Sequence, residues 1–178
     1  RQRQMCIRDR AKQRKSFASI TPFSTDHGAW SLEDGKLNLM RMNDAFAYTG
    51  NYYAKDYLFS TTVTPENGQS HLLIARAQGA QRGYAAGFGN EGQAVILKND
   101  FGFTTLAEAP FDWRLDREYT LELGVLGDKL TLSVDGQPIL EARDGAFDHG
   151  MFGCGSLAMG RTAFGDFTYP VSYTHLRA

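Results

Sequence analysis

Charge of one sign is what this sequence of 178 residues most plainly lacks: 19 Lys and Arg stand against 20 Asp and Glu, a formal net charge of −1. A dedicated nucleic-acid binder needs a basic footprint, so the balance argues against nucleic acid as a partner. No apolar run approaches the roughly 20 residues of a membrane-spanning helix, which argues against a membrane partner as well. Only two cysteines occur, Cys6 and Cys154, too few for a disulfide framework. What is present is 42% apolar and 12% aromatic, with 19 Gly and 5 Pro. Such a chain is too hydrophobic to stay disordered. At this size it buries about 70% of the surface that its unfolded form exposes, enough to fold without staples.

Both ends read as something other than protein. Residues 1–10, RQRQMCIRDR, resemble a forward translation of a transposase-type sequencing adaptor, and residues 171–178, VSYTHLRA, resemble the adaptor of the opposite end. Such scars are set aside before the fold is read. Residues 11–23 then read as a linker or fragment edge and 24–170 as one module. Without the two ends the chain loses five Arg and one Asp, which leaves 14 basic and 19 acidic residues and a net charge of −5.

Alternation with a period of two dominates the rest. Tyr119, Leu121, Leu123 and Val125 alternate with Thr120, Glu122 and Gly124; Leu130, Leu132 and Val134 follow the Gly127-Asp128 turn, and Ile139-Leu140 follow Asp135-Gly136. Residues 117–142 therefore predict a three-strand antiparallel meander. A hairpin is predicted around Glu33-Asp34-Gly35, and further strands at Tyr57 to Val63, 71–78, 83–88, 94–98, 150–159 and 163–169. Residues 48–53 read as a loop. No stretch combines a helical apolar stripe with caps. About eleven short strands indicate an all-β fold, a two-sheet antiparallel jelly-roll sandwich.

Catalytic signatures are missing. His71 and His149 have no second ligand at zinc spacing, no phosphate loop or nucleophile elbow occurs, and no cofactor, metal or catalytic residue is expected. Glycoside hydrolysis needs two carboxyls across a cleft. Glu33-Asp34, Glu122, and Glu141 with Asp144 read instead as turn and rim charges. The informative stretch runs from Ile74 to Tyr84. By period two, Ile74, Arg76 and Gln78 share one strand face, Arg82 and Tyr84 share a face of the next, and Lys98 can join them. A guanidinium, an amide and a phenol together suit sugar hydroxyls or an anion, equally with a plain solvent-facing sheet. Tyr48, Tyr52 and Tyr53 form a second aromatic cluster that suits a sugar platform or the closure of one end. Trp30 and Trp113 are expected at the core, and Cys154 as a small core residue.

In order, Trp30-Ser31-Leu32-Glu33-Asp34-Gly35-Lys36-Leu37, Ala47-Tyr48-Thr49-Gly50-Asn51, Lys55-Asp56-Tyr57, Arg76-Ala77-Gln78-Gly79-Ala80-Gln81-Arg82-Gly83-Tyr84-Ala85 and Leu97-Lys98-Asn99 resemble the concanavalin A-like, laminin G-like sandwich module. In particular the chain is similar to the accessory module that follows the catalytic domain in some bacterial ADP-ribosylglycohydrolase-family proteins. The resemblance implies a non-catalytic, glycan-binding module of a larger hydrolase, with a neighbouring catalytic domain as partner and a glycan as ligand. The ligand residues expected are Arg76, Gln78, Arg82, Tyr84, Lys98 and Tyr48. The competing expectations are a hydrolase of the 3-keto-disaccharide or glucanase-like sandwich type, acting through loop carboxyls, and a purely structural domain.

Overall fold

A computed structural model of the chain describes residues 24–26, 29–41, 45–90 and 92–172. The adaptor-like residues 1–10, the linker 11–23 and residues 173–178 lie outside them. Fourteen strands and no helix occur among the described residues. They are β1 (Ser24–Asp26), β2 (Ala29–Glu33), β3 (Lys36–Arg41), β4 (Ala45–Thr49), β5 (Tyr57–Gly68), β6 (His71–Gly79) and β7 (Arg82–Phe88). The second half of the chain supplies β8 (Gln93–Asp100), β9 (Phe103–Pro110), β10 (Tyr119–Leu126), β11 (Lys129–Val134), β12 (Gln137–Arg143), β13 (Met151–Ser156) and β14 (Gly160–Ser172).

The strands form two seven-stranded antiparallel sheets. The front sheet has the order β1-β4-β13-β6-β7-β8-β9 and the back sheet β12-β11-β10-β5-β14-β3-β2. This is the jelly-roll sandwich that the alternation predicts. In the back sheet the expected meander is present: Leu121 faces Val134 and Leu123 faces Leu132 across β10 and β11, and β11 continues into β12. Turn chemistry explains the hairpins. Asp34-Gly35 and Asp135-Gly136 both carry positive φ (51° and 76°, 50° and 79°), the type I′ pattern that matches strand twist. β14 pairs with β5 through Val171 and Ser172, two residues past the boundary expected at 170.

Between the sheets lies one large core in which Phe59, Leu73, Phe88, Ile96, Leu121, Leu123, Leu132, Cys154 and Phe164 are fully buried. Trp113 stacks on Phe88 at 5.5 Å, and Trp30 packs at the edge. Burial pushes the Cys154 thiol up, so it is an inert core group. His71 is also internal: Nδ1 lies 2.6 Å from Thr162 Oγ1, and desolvation lowers its pKa to about 4.

The front sheet is strongly curled. Phe46 of β4 and Phe103 of β9 are separated by four strands, yet their ring centroids are 6.2 Å apart. At about 4.8 Å per strand a flat sheet would hold them about 24 Å apart. The hollow that results is filled by a second apolar cluster of Phe46, Tyr48, Leu72, Ile74, Ala77, Ala85, Val95 and Leu97. Small residues permit the curl. A Cβ on Gly153 of β13 would stand 1.8 Å from the Ala47 carbonyl oxygen, so no side chain fits there.

Two strands depart from the expected reading. β4 takes in Tyr48 and Thr49, which were expected in a loop; all five of its residues are buried because apolar clusters cover both of its faces, and no alternation results. β9 carries the sequence FTTLAEAP on a sheet edge and faces a register shift at Ile96/Leu97, which erases its period.

Candidate functional site

The residues singled out by the sequence do converge, at one end of the sandwich rather than on an open sheet face. The reason is a β-bulge. Met151 pairs with Ala77 and Gly153 with Ile74, so Phe152 opposes two residues, Ala75 and Arg76. Arg76 sits in left-handed backbone (φ 49°). One extra residue shifts the parity: Ile74 joins the cluster in the hollow, whereas Arg76 turns inward. The expected common face of Ile74, Arg76 and Gln78 is therefore corrected.

Arg76 is 1% exposed. Its Nε donates to the Lys55 carbonyl at 3.0 Å, Nη1 to the carbonyls of Gly127 (2.7 Å) and Phe147 (2.9 Å), and Nη2 to Asp56 Oδ1 at 3.1 Å. Its backbone N–H donates to the Tyr57 hydroxyl at 2.6 Å. A guanidinium so committed to the chain is not a ligand contact; it ties β6 to β5, to the β10–β11 turn and to the segment 144–150. Gly150 lets that segment approach, since a Cβ there would meet the Arg76 carbonyl carbon at 2.3 Å.

The other expected residues serve the same segment. Tyr84, also 1% exposed, donates to Asp144 Oδ1 at 2.6 Å and accepts from the Phe147 N–H at 3.1 Å. Burial and the Asp144 bond raise its pKa to about 12. Lys98 Nζ pairs with Asp144 Oδ2 at 2.7 Å. Burial pushes the Asp144 carboxyl up, but the bonds from Lys98, Tyr84 and the Ala146 N–H outweigh it and hold that carboxyl below its usual range. Gln78 Nε2 donates to the His149 carbonyl at 3.1 Å, and Arg82 lays its guanidinium 5.0 Å from the Phe147 ring centroid. Tyr48 stands apart. It is 7% exposed, its ring stacked on Phe46 in the hollow, so the expected contact through Tyr48 is corrected as well.

An open cavity lies elsewhere on the hollow face, toward the opposite ends of β6 and β8. It is a cleft of about 210 Å³. Its floor is Leu72, Val95 and Leu97. Its rim carries the amides of Gln69, Asn90 and Gln93, the Thr105 hydroxyl and the Glu108 carboxyl. None of these five side chains bonds to another group among the described residues. The pairing of Val95 with Glu108 and of Leu97 with Thr105 puts both rim groups of β9 on the face of the floor. An apolar floor under free donors and acceptors matches a sugar ring, which has an apolar C–H face and polar edges. The volume is below the roughly 300–1,000 Å³ of pockets for drug-sized ligands, so it admits about one ring. The sequence reading missed this cleft because two of its five rim groups, Thr105 and Glu108, lie on β9, where no strand was expected. Gln93, on the same strand face as Val95 and Leu97 by period two, was the one signal available.

No protein-family model matches the chain, and no curated protein matches its sequence. Solved structures do match in fold. The chain is similar to the carbohydrate binding module CBM66 from Bacillus subtilis, with a TM-score of 0.77 and 21% identity over 84% of this chain and 96% of that one. It is similar to a Bacillus subtilis protein of unknown function with a galectin-like fold (TM-score 0.65, 15% identity, 87% and 92% covered). A third match is the exoplasmic/lumenal domain of VIP36 in its Ca2+- and Man3GlcNAc-bound form (TM-score 0.58, 13% identity, 88% and 89% covered). At these identities the likeness is one of fold, a sandwich of the concanavalin A-like type.

Proposed function

We propose that this sandwich is a non-catalytic glycan-binding module whose concave-face cleft holds one neutral sugar ring. The observation that carries the reading is the cleft itself: free amide, hydroxyl and carboxyl groups ring an apolar floor of one-ring size. Glu108 is the one carboxyl among the described residues lining it, and hydrolysis by paired acids needs two. The reading is supported by two of the fold matches, a carbohydrate binding module and a Man3GlcNAc-bound lumenal domain. The resemblance of the Arg76 to Tyr84 stretch to the accessory module of ADP-ribosylglycohydrolase-family proteins extends the proposal to a parent hydrolase, in which the module raises the local concentration of substrate.

A lone shallow site of this kind binds at about micromolar to millimolar strength. The test is calorimetric titration of the chain with tri- to hexasaccharides of glucose, galactose, mannose, xylose and fructose. Binding of at least one series, weakened about tenfold or more by Gln93→Ala at unchanged melting temperature, is the expected result. Turnover of a glycan, abolished by Glu108→Gln, overturns the non-catalytic reading.

A further inference from the structure

The segment that Arg76, Tyr84 and Lys98 hold in place ends in an exposed group of rings. Tyr53 is 76% exposed and Tyr52 39%. Tyr52 meets Tyr53 edge-on at 5.3 Å and His149 edge-on at 5.1 Å, while the Tyr53 and His149 rings lie nearly parallel, 16° apart at 6.2 Å. Beside them His149 Nδ1 lies 2.6 Å from Asp148 Oδ1, and Lys55 Nζ lies 3.5 Å from Asp148 Oδ2. A carboxylate only accepts, so Nδ1 carries a proton, and Nε2 is an acceptor whenever the ring is neutral.

Hydrogen bonds hold the frame from several segments. Asn51 Oδ1 accepts the Tyr53 N–H at 2.9 Å, the Asn51 carbonyl accepts the Ala54 N–H at 3.1 Å, and the Ala54 carbonyl accepts the Gly150 N–H at 3.0 Å. Gln78 holds the His149 carbonyl, and Arg76 holds the carbonyls of Lys55 and Phe147. Burying a guanidinium and placing its backbone in the left-handed region both oppose folding. Folding gains little from a tyrosine that remains three-quarters in water. Bulges and left-handed non-glycine residues concentrate beside binding sites, where they aim side chains. Ordering the frame during folding also spares a ligand the conformational entropy cost that it would otherwise meet.

We infer that the exposed face of Tyr53, with Asp148 and His149 as hydrogen-bond acceptors at its side, is a second sugar-binding site, and that Arg76 and Gln78 are its positioning residues. A sugar ring lays its C–H face on the tyrosine and donates its hydroxyl protons to the carboxylate and to Nε2. The inference shares the glycan class of the concave-face reading but uses none of its residues. Leu72 in the cleft and Gln78 below the rings are six residues apart on β6, about 20 Å, and the contact between Phe46 and Phe103 roofs part of the face between. One polysaccharide held at both points gains the avidity of an intramolecular second contact.

The test is saturation-transfer NMR and titration with the methyl glycosides of glucose, galactose, mannose, xylose and fructose, on the wild-type chain, Tyr53→Ala, Gln93→Ala and the double variant. Two sites are expected. Tyr53→Ala removes the aromatic-to-sugar transfer of one and weakens it about fivefold to tenfold, Gln93→Ala leaves that site intact, and the double variant is weakened at both. Gln78→Ala is expected to weaken the Tyr53 site alone; an equal loss at both sites marks a merely structural role for it. A single site, abolished by Gln93→Ala and untouched by Tyr53→Ala, overturns this inference and leaves the cleft standing. A single site lost in Tyr53→Ala does the reverse, and a chain that binds none of the five overturns both.

Discussion

Arg76 Nη1 donates to the carbonyl of Phe147, 71 residues further along the chain, at 2.9 Å. The same nitrogen reaches Gly127 of the opposite sheet, so one side chain joins both sheets and the segment between β12 and β13. Arg76→Ala takes the guanidinium donors from three carbonyls and leaves Asp56 Oδ1 with the Gly127 N–H in place of two donors. The expected cost is about 3–5 kcal/mol, read as a melting temperature lowered by roughly 10 °C. Arg76→Lys is expected to recover only part of this, because an ammonium lacks the planar fork.

Tyr84→Phe keeps the ring and removes the hydroxyl that accepts from the Phe147 N–H and donates to Asp144. A cost of about 1–3 kcal/mol is expected from the stranded N–H. The Asp144 carboxyl, relieved of one of the bonds that lower it, is expected to titrate at higher pH than in the wild type, as carboxyl chemical shifts would record.

His71 makes stability depend on pH. Its folded pKa of about 4 lies below the ordinary 6.5, so between these values the unfolded chain binds the extra proton and the folded chain does not. Stability is then complete above about pH 6.5 and falls as the pH drops toward 4, by about 3 kcal/mol in all. Urea denaturation at a series of pH values measures the slope, and His71→Gln, which cannot titrate, is expected to remove this share of it.

Phe46 and Phe103 are expected to be coupled. A double-mutant cycle with Phe46→Leu and Phe103→Leu is predicted to give an interaction of about 0.5–1.5 kcal/mol, the worth of an aromatic pair beyond its buried area. A value near zero would mean that the two edges of the front sheet do not support each other in solution.

Much of the fold was legible in the residues alone. Leu121, Leu123, Leu130 and Leu132 alternate with polar neighbours because each back-sheet strand has one face in the core and one in water. Asp34-Gly35 and Asp135-Gly136 name their own turns because few other pairs accept positive φ twice. Where both faces are apolar, as along Ala45–Thr49, or where an edge strand meets water, as along Phe103–Pro110, the period that announces a strand disappears.

Local sequence thus determined the strand-rich class, the hairpins and the importance of the stretch around Arg76, since these depend on neighbours a few residues away. Which way Arg76 points was decided by its partner strand: Phe152 opposes two residues instead of one, and a single inserted residue exchanges inside for outside. The cleft and the ring cluster were likewise settled by the curl of the front sheet and by bonds spanning tens of residues, because side chains remote in sequence meet only once the sheets have closed.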